Sequence, residues 1–238
     1  MARTLALIHT SPTLTPLFGR LCNHLIPSTN IFHMVDESLI KETVREGRLR
    51  RVTIRRLLSM IESAEHAGAD AVIVTCSSIG EGVEFGQKLF DIPVIRVDEA
   101  MARKAVSMGR RIGVMATLRT TLEPTVALLR AKAAEAGVSI EIVESLCDGA
   151  FEAVISGDQA THDRILTAAL KNDMQGVDVV VLAQASMAGV LNSLPAGTLS
   201  MPVLTSPELG VLAAKDVIDS LDTENLAAAS TNGMKARR

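Results

Sequence analysis

Short runs of apolar residues alternate along this chain with longer stretches in which apolar positions return every three or four residues. That is the pattern of buried strands joined by crossover helices. Runs such as VIVT and VVVL are apolar nearly throughout, as parallel strands covered on both faces must be. The pattern predicts strands near 4–10, 30–34, 70–75, 93–97, 111–116, 138–143, 178–183 and 202–205, four in each half of the chain. The clearest helices are expected over Arg48 to Ala67, stopping before Gly68, and over Thr121 to Ala136, with Pro124 in the first turn and Gly137 as the stop.

The same pattern occurs twice. DAVIVTCSS (Asp70 to Ser78) returns 108 positions later as DVVVLAQAS (Asp178 to Ser186), so Cys76 falls opposite Gln184 and Ser78 opposite Ser186. LALIHT before Pro16 matches IGVMAT before Pro124, and IPVIRVDEA (Ile92 to Ala100) matches MPVLTSPEL (Met201 to Leu209). The expected fold is therefore α/β with two similar Rossmann-like lobes, each a four-stranded parallel sheet flanked by helices, related by a pseudo-two-fold. The expected division is 1–105 for the first lobe, 106–221 for the second and 222–238 for a flexible tail, with the boundary between Met101 and Arg111. A final helix over about Pro207 to Leu221 is expected to complete the second lobe.

Composition narrows the functions. With 238 residues, 47% of them hydrophobic, the chain can build a sizeable core, and no apolar run approaches the roughly 20 residues of a membrane helix. The N-terminus has too short an apolar run for an export signal. Three cysteines without CxxC spacing suggest neither a disulfide framework nor a zinc site, which fits the cytoplasm. A net charge of −3, no Trp and no Tyr give nucleic acid no footprint. The run Arg45, Arg48, Arg50, Arg51, Arg55, Arg56 spreads around a helix and reads as a solvated or subunit-contacting surface. A homodimer or larger homo-oligomer is expected.

Ligands of open parallel sheets bind beyond the carboxyl ends of the strands. Four such ends are small and rich in hydroxyls: HTSP (His9 to Pro12), TCSS (Thr75 to Ser78), ATLRTT (Ala116 to Thr121) and AQASM (Ala183 to Met187). Each precedes a helix, so backbone N–H groups and hydroxyls point together at an anion. Cys76 stands out, because a thiol between a buried strand and a helix N-terminus is where a depressed pKa is expected, making it a base or nucleophile. Cysteine also packs well as a small hydrophobe. Its neighbours Thr75, Ser77 and Ser78 make a poor core, however, and favour function. Cys22 and Cys147 lack that context and read as structural. Gly80, Gly82 and Gly86 do not have dinucleotide-loop spacing, and the five histidines form no metal motif. His9 reads as a satisfied structural histidine and Asp36 as a cap, while Asp70 and Asp178 open their strands at the end away from any ligand.

With TCSS inside a duplicated α/β chain, the sequence resembles the aspartate/glutamate racemase superfamily, which includes hydantoin racemases, maleate isomerases and arylmalonate decarboxylases. The resemblance covers roughly residues 4 to 221. It implies a cofactor-free, metal-free enzyme in which one cysteine from each lobe flanks the substrate's α-carbon. Cys76 matches the first of these cysteines, and Gln184 stands where the second is expected. The resemblance further implies substrate binding by Ser77, Ser78, Thr117 and Arg119 and a closing loop at Thr10, Ser11 and Pro12, while the strand-end positions add Thr75, Ala185 and Ser186 to the expected substrate-binding residues.

A glutamine amide cannot take a proton at ordinary pH, so a two-thiol racemase is not expected; Gln184 can donate and accept hydrogen bonds where negative charge develops. The expected function is cofactor-independent chemistry on a small carboxylic acid or amino acid, by proton transfer or attack from Cys76. An isomerase or racemase ranks first, with water or His9 as an unexpected second acid. The alternatives are a single-thiol decarboxylase or lyase and a non-catalytic carboxylate-binding sensor.

Overall fold

A computed structural model describes residues 2–195 and 197–235. The first half runs β1 (Thr4–His9), α1 (Thr15–Leu25), β2 (Asn30–Val35), α2 (Glu37–Glu46), α3 (Arg51–His66), β3 (Ala71–Val74), α4 (Gly80–Leu89), β4 (Val94–Arg96) and α5 (Glu99–Met108). The second runs β5 (Arg111–Ala116), α6 (Arg119–Glu135), β6 (Glu141–Leu146), α7 (Ala150–Ile155), α8 (Gln159–Asn172), β7 (Val179–Leu182), α9 (Val190–Ser193), β8 (Val203–Thr205) and α10 (Ser206–Lys235). Each half forms a four-stranded sheet, ordered β2-β1-β3-β4 and β6-β5-β7-β8, and every pairing is parallel. Both β3 and β7 are buried along their whole length, which is why they carry no polar alternation.

The registers decide which residues meet at the strand ends. Ile8 pairs with Val74 and Met115 with Leu182, so two steps further on Thr10 lies beside Cys76, and Thr117 beside Gln184. At the opposite ends the two opening aspartates hold backbone amides: Asp70 Oδ2 accepts from Thr4 N at 2.8 Å, and Asp178 Oδ2 accepts from Arg110 N at 2.7 Å and Arg111 N at 2.8 Å. These carboxylates therefore anchor strand starts, far from any ligand.

The lobes are interlocked, and here the sequence expectation is corrected. Met101, Ala102, Ala105 and Val106 of α5 pack into the second lobe's core with Ile112, Val114, Val179 and Leu204. Conversely, Val211, Ala214 and Ile218 of α10 pack with Leu5, Leu7, Phe18 and Ile73 of the first lobe. The final helix thus covers the first sheet rather than completing the second, because an apolar stripe specifies a buried face without naming the sheet that buries it. The chain crosses between lobes just after β4 and again just after β8. The crossings touch: a Cβ on Gly210 would lie 2.7 Å from Val97 Cγ2 and 2.8 Å from Val97 O.

Other boundaries shift. The sixth strand starts at Glu141, because Gly137 at φ +67° ends α6 and Val138 caps it, its N–H bonding Ala133 O; Val138 and Ile140 then pack on the core outside the sheet. Helix α6 starts at Arg119, which puts Pro124 beyond the first turn. Helix α10 continues past Leu221 to Lys235, so most of the segment expected as a tail is helical; residues 236–238 lie outside the described residues. In the basic run, Arg50 pairs with Glu42 and Glu46, and Arg56 with Asp36, as exposed ion pairs that add little stability. No helix of the described residues is long and apolar enough to cross a membrane.

Candidate active site

The carboxyl ends of the two sheets approach each other where Ser78, just after β3, meets Thr121 of α6, and the expected cleft lies between them. On the first lobe, Cys76 leaves β3 in an extended conformation (φ −128°, ψ 113°) and opens a short 3-10 helix over Ser77–Ile79 that leads into α4. Its half-buried thiol lies near Thr10, Ser78 and Ile79, whose hydrogen-bonding groups favour the thiolate. Burial nevertheless dominates and pushes the thiol pKa up, with those donors pulling the other way. The depressed pKa expected from the helix N-terminus is therefore corrected. A 3-10 turn supplies donors but no long helix dipole, and apolar Ile8, Val74 and Leu57 lie in the same cluster. Cys76 rests as a thiol, and the donors stand ready for the thiolate formed when it gives up its proton.

His9 and Thr75 support this thiol from behind. His9 is fully buried; Nδ1 lies 2.8 Å from Thr75 Oγ1, and Nε2 lies 2.8 Å from His33 Nδ1. Thr75 Oγ1 donates to Ile8 O at 3.2 Å, which leaves it to accept from a protonated His9 Nδ1. Desolvation, with His33 nearby, lowers the His9 pKa to about 4. His9 is therefore neutral at ordinary pH and sits on the same lobe as Cys76. Both facts remove it as the opposite-face acid.

On the second lobe, Gln184 and Thr117 lock together. Thr117 N donates to Gln184 Oε1 at 2.6 Å, and Gln184 Nε2 donates to Thr117 Oγ1 at 2.7 Å. The arrangement mirrors Thr10 beside Cys76. Gln184 Oε1 thus accepts one bond inside its own lobe, and the Thr117 backbone N–H is engaged there. What remains to face a ligand is one N–H of Gln184 and the hydroxyl proton of Thr117.

The remaining predicted residues separate. Ser77 is buried beside Cys76, and its hydroxyl has no partner among the described residues. Ser78 is tied across the cleft, its Oγ 2.7 Å from Thr121 Oγ1 on α6, so its hydroxyl is a lobe-to-lobe link before it is a substrate donor. Thr121, the last residue of ATLRTT, gains this role only from the placement of the second lobe against the first. Ser11 and Pro12 lie at the rim, where Ser11 Oγ meets Thr13 Oγ1 at 2.8 Å. Ser186 is exposed, whereas Ala185 is buried in the first lobe's core and faces away from a ligand. Arg119 is exposed, 3.8 Å from Glu123, and is not drawn into the cleft. Asp36 caps α2 by accepting from Ser38 N at 3.0 Å. Among the described residues no group of three His, Cys, Asp or Glu is placed to hold a metal.

Sequence reasoning also missed a buried charge cluster. Arg96, 4% exposed, donates from Nε to Asp98 Oδ1 at 2.7 Å and from Nη2 to Asp98 Oδ2 at 3.2 Å, and from Nη1 to Glu84 Oε1 at 2.8 Å. No sequence signal marked it beyond a charged residue ending an apolar strand.

Two α/β lobes that exchange a helix, with a thiol just after β3 of one and an amide at the equivalent position after β7 of the other, define a pseudo-symmetric two-lobed protein. The Asp/Glu/hydantoin racemase family model matches residues 7–214, and the chain belongs to that family. No curated relative matches its sequence. Among solved structures, a glutamate racemase from Bacillus anthracis is similar at 17% identity, with 92% of this chain and 82% of that one covered and a TM-score of 0.72. An aspartate racemase from Picrophilus torridus is similar at 14% identity, covering 91% and 94%, with a TM-score of 0.67. An allantoin racemase from Klebsiella pneumoniae is similar at 20% identity, covering 94% and 89%, with a TM-score of 0.62. At these identities the likeness is one of fold.

Proposed function

We propose that this protein is a cofactor-independent, racemase-type isomerase acting on a small carboxylic or amino acid, with Cys76 as the proton-transferring group. The observation that carries the reading is the place of Cys76 at the end of β3, heading the 3-10 turn over Ser77–Ile79 and beside Thr10, among groups that can donate to a thiolate. Such donors lower the cost of the thiolate, whichever direction the proton moves.

In this reading the substrate carboxylate lies against Ser77 and the nearby backbone amides. Cys76 first gives its proton to water; the thiolate so formed then takes the α-proton, which leaves an enediolate and restores the thiol. The free N–H of Gln184 and the Thr117 hydroxyl donate to its oxygens from the other lobe. Cys76, then a thiol, returns a proton to one face, and water entering at the rim near Ser11 and Ser186 serves the other. The cytoplasm and a homo-oligomeric state suit this reading.

One observation favours a second reading. Gln184 cannot act as a base, and the raised pKa of Cys76 makes it foremost an acid, which suits a single-thiol lyase that protonates a carbanion left by decarboxylation.

The test is α-proton exchange. Single enantiomers of glutamate, aspartate and allantoin, together with a 2-substituted malonate, are incubated in deuterated water and followed by proton NMR and chiral chromatography. Deuterium at the α-carbon with the native chain and none with Cys76→Ser supports the reading. Release of carbon dioxide with one deuterium in the product moves the assignment to the lyase. Binding without exchange or consumption leaves a carboxylate sensor, and exchange that survives Cys76→Ser removes the thiol from the mechanism.

A further inference from the structure

The cleft's width is held by something other than the site residues. Only the Ser78–Thr121 hydrogen bond has been described across it so far, and a single neutral bond is a weak tie. A second tie lies at Arg96. Its guanidinium, on the last residue of β4 in the first lobe, grips Asp98, Glu84 and, through Nη2 at 3.4 Å, the carbonyl of Pro124 on α6. Asp98 is 0% exposed and stands at the start of α5, which belongs to the second lobe's core. One side chain thus joins the first sheet to two helices of the second lobe.

Its position is at the pivot. Val97, the next residue, is the one that Gly210 of α10 touches where the two crossings meet. On α6, Pro124 and Thr121 are three residues apart and share a face. The pull on the Pro124 carbonyl therefore seats Thr121 against Ser78. Room for the guanidinium is built in, since a Cβ on Gly80 would overlap Arg96 itself. Beside it an open surface groove of about 550 Å³ runs between β4, α5 and α10, bordered by Ile95, Ala100, Arg103, Ala213 and Val217. Every nitrogen of the guanidinium is engaged, so Arg96 acts through α5 and α6 rather than on a substrate.

We propose that Arg96 is a positioning residue that holds the two lobes closed over Cys76, and that loosening its grip on α6 opens the cleft at the Val97–Gly210 crossing. The inference rests on the reading above only in naming Cys76 as the residue covered. Its test needs no substrate: the full chain is treated with iodoacetamide, and alkylation of each cysteine is timed by mass spectrometry.

Cys22 and Cys147, at 1% and 3% exposed, are internal controls that react only on unfolding. In Arg96→Met combined with Asp98→Asn, which leaves no stranded buried charge, Cys76 should react about tenfold faster with the controls still protected. Arg96→Lys keeps the charge pair but cannot reach Asp98 and Pro124 together. It should accelerate Cys76 about threefold, and it serves as the test should the double variant unfold and expose all three thiols. An unchanged Cys76 rate in a folded variant overturns the proposal. Failure of the exchange assay alone leaves it standing.

Discussion

Gln184 holds Thr117 at two points, accepting from its backbone N–H at 2.6 Å and donating to its hydroxyl at 2.7 Å. Where the first lobe offers a sulfur that can change its charge, the second offers a self-satisfied amide that cannot. The pseudo-two-fold thus relates two threonines that keep their place and two neighbours that differ in chemistry. Under the proposed function the two sides divide the work, with proton transfer on the Cys76 side and charge stabilisation on the Gln184 side.

Replacing Gln184 by Ala removes the amide and its remaining N–H. If that N–H meets the enediolate, kcat for α-proton exchange falls by about 10²-fold, the usual cost of losing one preorganised donor. Gln184→Glu, which brings a second negative charge to the same point, reduces it further. Steady-state kinetics on the substrate found by exchange decides the matter, and wild-type kcat in both variants would leave Gln184 with packing alone.

The Cys76 thiol should titrate above its ordinary value of 9.0, because desolvation outweighs the donors from Thr10, Ser78 and Ile79. Rates of iodoacetamide labelling measured from pH 6 upward give the midpoint directly. Thr10→Val deletes one donor and moves that midpoint higher still. A midpoint near neutrality in the native chain contradicts the description of a resting thiol.

Much of this was legible in the chain. All eight strands, their parallel pairing and the equivalent places of Cys76 and Gln184 after β3 and β7 follow from apolar runs and an internal repeat, since a strand buried on both faces leaves an uninterrupted apolar run. The exchange of α5 and α10 was not legible, because a helix's apolar stripe is the same whichever sheet it covers. Nor were the Ser78–Thr121 and Arg96–Pro124 contacts, which link residues 43 and 28 positions apart through lobe placement alone. The sign of the Cys76 shift was misread for a related reason. A sequence displays donors near a thiol but not how much water is excluded from it.

His9 should make stability depend on pH. Its pKa is about 4 in the folded chain against 6.5 when unfolded, so between those values the unfolded state binds more protons. Stability is therefore fully present above pH 6.5 and is lost as pH falls toward 4, by about 2–3 kcal/mol for a shift of this size. His33, also lowered by burial, acts in the same direction. Urea midpoints at pH 4.5 and 7 should differ less in His9→Gln, which stays neutral throughout; an equal pH dependence in the two chains would place its origin elsewhere.

Two glycines separate the cost of crowding the crossing from that of changing a glycine. At Gly210 an added methyl meets the Val97 backbone oxygen at 2.8 Å, and a backbone atom at the junction of two crossings has nowhere to yield. At Gly189 nothing lies within 4 Å and φ is −61°, a conformation any residue adopts. Gly210→Ala should lower stability by about 1–3 kcal/mol, the range for overpacking. Gly189→Ala should be neutral or stabilise by up to about 1 kcal/mol through the unfolded chain's entropy. Thermal and urea unfolding of the two variants side by side measures the difference. Equal stabilities would mean that the Val97–Gly210 contact is slack and that the lobes are not fastened there.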